Sequence, residues 1–250
     1  MSKLFLQVFL ILGLSVGAVR SQETATEIVK KADDLLRGKT HQGMYAMTVI
    51  RPQWKRSMKF KFWSEGTDKS FILMLAPAKE KGVTFLKRHK EMWNYIPKIN
   101  RVIKVPPSMM LQSWMGSDFT NDDLVKESSI VKDYTHKLLG RERLNGADLY
   151  KLELKPKPEA AVVWDKIIEW IRVKDYIPMK AEYFNERNEK VRTLLFSNIK
   201  RFGNRVLPAT YELVEDKKPG RKTILTLYDA MFDKPIKKSI FTKQFLKRAK

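Results

Sequence analysis

The sequence predicts a mainly β protein with short helices: a strongly curved antiparallel sheet, a half-open β-barrel, with a helical lid. Three observations predict it. Segments rich in β formers recur along most of the 250 residues. Short turns carrying Asn, Asp, Gly and Pro separate them, which makes an antiparallel meander. About ten or eleven strands cannot lie flat, so the sheet must curl or close, with a helix packed on its concave side.

The first 21 residues stand apart. Lys3 supplies a positive start, Leu4 to Leu14 is almost unbroken apolar sequence, and Val16-Gly17-Ala18 fits a small-x-small cleavage site. Such a run is too short to span a bilayer, which takes roughly 17 to 25 residues. A secretory signal peptide over 1–21 is therefore expected, followed by a single domain over 22–250. A buried N-terminal strand or an uncleaved anchor is the alternative. Cysteine is absent, so stability must come from a hydrophobic core, and no thioether-linked lipid anchor is possible. No Asn-x-Ser/Thr acceptor occurs. A periplasmic location fits these facts best.

Glu23 to Arg37 reads as a helix. Ile28, Val29, Ala32, Leu35 and Leu36 form one stripe at helical spacing. Thr24 and Glu27 have the spacing of a capping box, and Gly38 is a stop signal. Tyr45–Ile50 then begins the strands. Ser57–Phe62 alternates, with Met58, Phe60 and Phe62 on one side and Lys59 and Lys61 on the other, as a strand with a dry and a wet face does. Phe71–Leu75, Val83–Leu86 and Met92–Ile96 follow. Gly116–Leu124 interrupts the pattern. Thr120 and Asp123 resemble a capping box, with Phe119 and Leu124 spaced as a hydrophobic staple, so a short helix is expected across the mouth of the barrel. Asn145-Gly146 signals a hairpin between a strand ending near Leu144 and Leu149–Leu154. Trp164–Val173, Met179–Phe184, Val191–Ile199, Val206–Val214 and Thr223–Tyr228 complete the set.

Chemistry-bearing motifs are sparse. His41, His89 and His136 have no metal-ligand spacing, and no H-E-x-x-H, G-x-S-x-G or glycine-rich phosphate loop occurs. Ser129-x-x-Lys132 and Ser197-x-x-Lys200 match a nucleophile pattern without its companion motifs. Asp33-Asp34 and Asp122-Asp123 read as solvated charges at helix ends. Neither catalytic residues, nor a metal site, nor a cofactor is expected. Apolar supply is generous instead, with 11 Met, 13 Phe, 6 Trp and 8 Tyr. Met58, Phe60, Phe62, Phe85, Trp93, Tyr95, Trp114, Met115 and Phe119 are the candidate lining of an apolar cavity and its lid, where methionine suits an adaptable surface.

The formal charge is +21, which favours anionic partners. An exported protein meets anionic lipid, not nucleic acid. Lys234–Lys250 holds seven Lys or Arg and no acid, and each is worth roughly 1 kcal/mol near an anionic membrane.

The motifs Phe62-Trp63, Leu75-Ala76-Pro77-Ala78, Lys81-Gly82-x-x-Phe85-Leu86, Met92-Trp93-x-Tyr95-x-Pro97, Arg101 and Trp114-Met115-Gly116-Ser117-Asp118-Phe119-Thr120-x-x-Asp123-Leu124 resemble the LolA-like outer membrane lipoprotein-sorting family. The resemblance runs on to Phe241-Thr242 and Leu246. It implies a periplasmic half-barrel that carries lipid or acylated lipoprotein between inner and outer membrane. An inner-membrane exporter and an outer-membrane acceptor are the implied partners. Members of the wider superfamily sense envelope stress, and members of the branch most resembled are often associated with export systems. A ligand-sensing or accessory role is therefore the alternative. Burying a 16-carbon chain yields about 13 kcal/mol before ordering costs, so a carrier needs a loose cavity and a lid that opens.

Overall fold

The structure is a computed structural model and describes residues 23–125, 129–144, 146–160 and 162–249. The expected signal peptide and Asn145 of the hairpin lie outside the described residues, as does the side chain of Leu124, one half of the expected staple.

Helix α1 spans Ala25–Arg37. Strands β1 (Thr40–Arg51), β2 (Trp54–Glu65), β3 (Lys69–Ala76), β4 (Thr84–Arg88), β5 (Glu91–Ile96) and β6 (Arg101–Val105) follow, and then the short helix α2 (Asn121–Val125). Strands β7 (Tyr134–Leu144), β8 (Ala147–Pro156), β9 (Lys166–Arg172), β10 (Pro178–Phe184), β11 (Lys190–Phe202), β12 (Arg205–Glu215) and β13 (Lys222–Phe232) precede helix α3 (Lys243–Arg248). All thirteen strands form one sheet in the order β6-β5-β4-β3-β2-β1-β13-β12-β11-β10-β9-β8-β7. The sheet consists of two meanders joined where β1 pairs with β13. Its edges, β6 and β7, are neighbours in sequence, so the 28 residues 106–133 must cross from one edge to the other. The expected curved, mainly β architecture is the one observed. β6 was not among the expected strands. It is a five-residue segment shut between Pro97 and Pro106, too short to show a period.

Helix α1 starts and stops as its sequence dictates. The Thr24 hydroxyl accepts from Glu27 N and the Glu27 carboxylate accepts from Thr24 N at 2.8 Å. Gly38, at φ 65°, ends the helix in a backbone region that disfavours other residues. Gly38 N donates to the Asp34 carbonyl at 2.9 Å, and Arg205 from β12 donates to the carbonyls of Asp34 and Leu35 at 2.6 and 2.7 Å. The helix lies against the concave face of the sheet, burying Ile28, Val29 and Ala32 against Tyr134, Leu152, Ile167 and Phe196.

Strand alternation divides the remaining apolar residues between two faces. Tyr45, Met47, Val49, Met58, Phe60, Ile72, Met74, Phe85 and Met92 point to the concave side. Phe71, Leu73, Leu86 and Trp93 point to the convex side, where the C-terminal segment covers them with Phe241 and Leu246. Thr84 donates to Leu246 O at 2.9 Å and fixes α3 there. Among the described residues no helix is long and apolar enough to cross a membrane.

Candidate functional site: two cavities beneath a pinned cover

Sheet curvature leaves more concave surface than α1 can fill. Two cavities of about 170 and 200 Å³ remain between the sheet, α1 and the cover formed by residues 106–125. They share Asp33, Leu36, Phe119, Asp123, Tyr211 and Leu225, which stand between them as a partition. Phe60, Phe62, Tyr45 and His41 wall the first. Trp164, Ile167, Tyr183, Leu194 and Phe196 wall the second.

The cover explains the Met115–Phe119 motif residue by residue. Trp114 drops into the core, 1% exposed, and packs on Phe60 and Phe85 at 5.5 and 5.4 Å between ring centroids. Met115 and Gly116 then take φ 52° and 74°, reversing the chain. Ser117 Oγ donates to Trp114 O at 2.7 Å and closes the turn. Asp118 meets Arg51 of β1 in a two-pronged pair, both bonds 2.9 Å, and also accepts from Thr223 of β13 at 2.7 Å. Phe119 finally points into the cavity region, 7% exposed.

On its other side the cover is held by α2. Thr120 and Asp123 form the expected capping pair, with Thr120 N donating to Asp123 at 2.8 Å and Asp123 N to Thr120 Oγ1 at 3.1 Å. The Asp123 carboxylate also accepts twice from Arg192 of β11, both at 2.7 Å. That guanidinium lies 4.4 Å from the ring centroids of both Trp164 and Tyr183. Burial opposes charge on Asp123, but the Arg192 guanidinium and the Thr120 donors outweigh it and hold the carboxyl below the usual range. Asp33 is likewise buried and is bonded by Arg37 at 2.9 and 3.1 Å. The expectation that these acidic pairs are solvated therefore fails for Asp33 and Asp123. Asp33 lies on the buried face of α1 and Asp123 in the first turn of α2, and both line the cavities. Burial, with Arg205 nearby, pushes the His41 imidazole down to about 3, and burial pushes the hydroxyls of Tyr45, Tyr183 and Tyr211 up.

Of the nine candidate lining residues, Phe60, Phe62 and Phe119 line a cavity. Met58, Phe85 and Trp114 are core residues behind its wall, and Met115 packs on that core. Trp93 and Tyr95 face away, in the convex cluster under the C-terminal segment. In β5 the concave phase belongs to Met92, and Trp93 pairs with Leu86 on the opposite face. Leu36, Tyr211, Leu225, Trp164, Tyr183 and Arg192 were missed. Arg192 and Asp123 lie 69 residues apart, and Arg51 and Asp118 lie 67 apart, so no local pattern announces either pair. Among the described residues no group of three or more His, Asp or Glu is placed to hold a metal ion.

A family model described as that of an uncharacterized protein family matches residues 66–248. The chain belongs to that family. No curated protein matches it. Solved structures do. A DUF1329 family protein from Desulfovibrio piger is 22% identical, with 89% of this chain and 97% of that one covered and a TM-score of 0.81. A domain described as that of an outer membrane lipoprotein-sorting protein from Vibrio parahaemolyticus is 23% identical over 90% and 98%, with a TM-score of 0.78. A LolA superfamily protein from Nitrosomonas europaea is 22% identical over 90% and 100%, with a TM-score of 0.76. This chain therefore has the LolA-like fold, and the resemblance in the sequence motifs extends to the architecture.

Proposed function

We propose that this protein is a non-enzymatic periplasmic carrier that holds lipid or acylated lipoprotein cargo in its concave cavities. It moves the cargo from an inner-membrane exporter to an outer-membrane acceptor. The observation that carries this reading is the pair of adjoining cavities under a cover that ion pairs fasten on both sides. A LolA-like fold and an expected signal peptide support it. An apolar cavity of about 150 Å³ accepts a benzene-sized guest, so each cavity as it stands suits only part of a fatty acyl chain. A full chain needs both, joined by displacement of Phe119 and Leu225. Closed and loaded states then differ in the position of the cover, and cargo release couples to its movement.

One observation favours the alternative, a ligand-sensing or accessory protein. The cavity lining includes the charged pair Asp123–Arg192, which binding of hydrocarbon alone does not require. Occupancy that breaks this pair would be read out by the cover. A transfer assay separates the two. A carrier moves fluorescent acylated cargo from donor to acceptor vesicles in proportion to its concentration. Cargo binding without any acceleration of transfer would contradict the carrier reading and leave the sensor.

A further inference from the structure

Antiparallel order brings every second turn of the sheet to the same rim. The turn regions 97–101, 77–83, 51–56 and 216–222 are consecutive neighbours there. A Cβ on Gly82 would meet Pro97 Cγ at 3.3 Å, and one on Gly220 would meet Pro52 Cγ at the same distance. Arg56 reaches Glu80 at 3.5 Å and ties the middle two together. These four turns carry eleven Lys or Arg against two acids, Glu80 and Asp216. Lys55, Lys79, Lys81, Lys98 and Arg101 are exposed, and none of them makes an ion pair with another described residue.

Such crowding of unpaired cations is self-repulsive unless an anionic surface faces it. Two large apolar side chains stand out among them. Trp54 on one turn is 49% exposed and Ile99 on another is 54% exposed. Arg51 lies over the Trp54 ring at 5.7 Å, and Trp54 and Ile99 each keep about half their surface exposed. Tryptophan favours the headgroup level of a bilayer, where an apolar ring and a polar N–H are both accommodated. Apolar tips among lysines, spread along one rim, match a broad anionic lipid surface better than a groove in a protein. The basic C-terminal segment differs. Its apolar residues Phe241 and Leu246 are turned into the molecule, so it offers charge without an inserting tip.

We propose that this rim is a docking surface for an anionic membrane, with Trp54 and Ile99 entering the headgroup region and the surrounding lysines facing lipid phosphates. The proposal concerns a surface and not the cavities, and it stands apart from any identity of cargo.

Flotation of the mature chain with vesicles tests it. Vesicles of phosphatidylcholine with phosphatidylglycerol should bind the protein, increasingly so at low salt, and vesicles of phosphatidylcholine alone should not. At roughly 1 kcal/mol per basic residue near the surface, the combined Lys55→Glu, Lys79→Glu, Lys98→Glu variant should bind roughly 100-fold or more weakly. Lys90→Glu, Lys174→Glu, Arg201→Glu alters net charge equally at the other rim and should keep most of its binding. Trp54→Ala with Ile99→Ser should weaken binding about tenfold. All these side chains are exposed, and circular dichroism checks that the fold is retained. No binding to the anionic vesicles, equal loss in the two charge variants, or no effect of removing the apolar tips would each overturn the proposal. The last result would point to an acidic protein partner instead.

Discussion

Arg192 shows how single residues set the state of the site. Its guanidinium lies over the adjoining rings of Trp164 and Tyr183 and spans to Asp123 on the cover, with side-chain exposures of 6% and 19%. Breaking a buried pair leaves one charge without compensation. Arg192→Ala should therefore cost about 3 kcal/mol of stability, measured by urea unfolding. The pH dependence has a definite sign. The Asp123 carboxyl is depressed in the folded protein, so its stabilising contribution is present above the unfolded-state value and is lost as pH falls through the folded one. In Arg192→Ala that cation is gone, burial dominates and raises the carboxyl, and the deficit should shrink on acidification. A deficit that instead grows as pH is lowered would contradict this role. Replacing both partners, Arg192→Met with Asp123→Leu, should recover much of the loss, because two apolar groups of similar shape need no compensation.

At the scale of elements, the C-terminal segment and β5 illustrate what a strand's own sequence leaves open. The alternation of Met58, Phe60 and Phe62 against Lys59 and Lys61 fixes which face of β2 is dry, and it does so correctly. Met92-Trp93-Asn94-Tyr95 carries large apolar residues in both phases. A strand covered on both faces gives no contrast from which to choose. The concave phase goes to Met92 because its neighbours Phe85 and Val105 are already there, and α3 supplies the convex cover that Trp93 needs. Trp93 is consequently a structural residue. Trp93→Ala should destabilise by about 3–5 kcal/mol, seen in thermal or denaturant unfolding. Where the protein remains folded, binding of a fluorescent fatty acid should be unchanged. Impaired binding in a folded Trp93→Ala protein would contradict its placement. Helices α1 and α2 were more legible, whereas α3 was not expected. The Thr24–Glu27 and Thr120–Asp123 capping pairs are short-range devices, and both form. What the Thr120–Asp123 pair could not reveal is that Asp123 also serves Arg192, a partner 69 residues away on β11.

For the whole molecule, curvature is the property from which the rest follows. Thirteen strands that curl without closing leave β6 and β7 as the two edge strands and a hollow on the concave face. One amphipathic helix fills part of that hollow, the cover fills another, and the unfilled remainder is divided by Phe119 and Leu225. The count of strands and the generous supply of Met and aromatic residues made a curved sheet with an apolar interior legible in the sequence. How that interior divides into packed core and open cavity was not legible, because it depends on where a distant helix and loop come to rest. The central claim is that the remaining space holds acyl cargo. It is tested most directly by lipid mass spectrometry on the protein purified gently from its native compartment, beside Leu225→Trp, which fills the partition at a cost of about 1–3 kcal/mol. An acylated species near one per protein, lost in folded Leu225→Trp, is the predicted result. Protein free of lipid, or the same lipid content in both proteins, would contradict it.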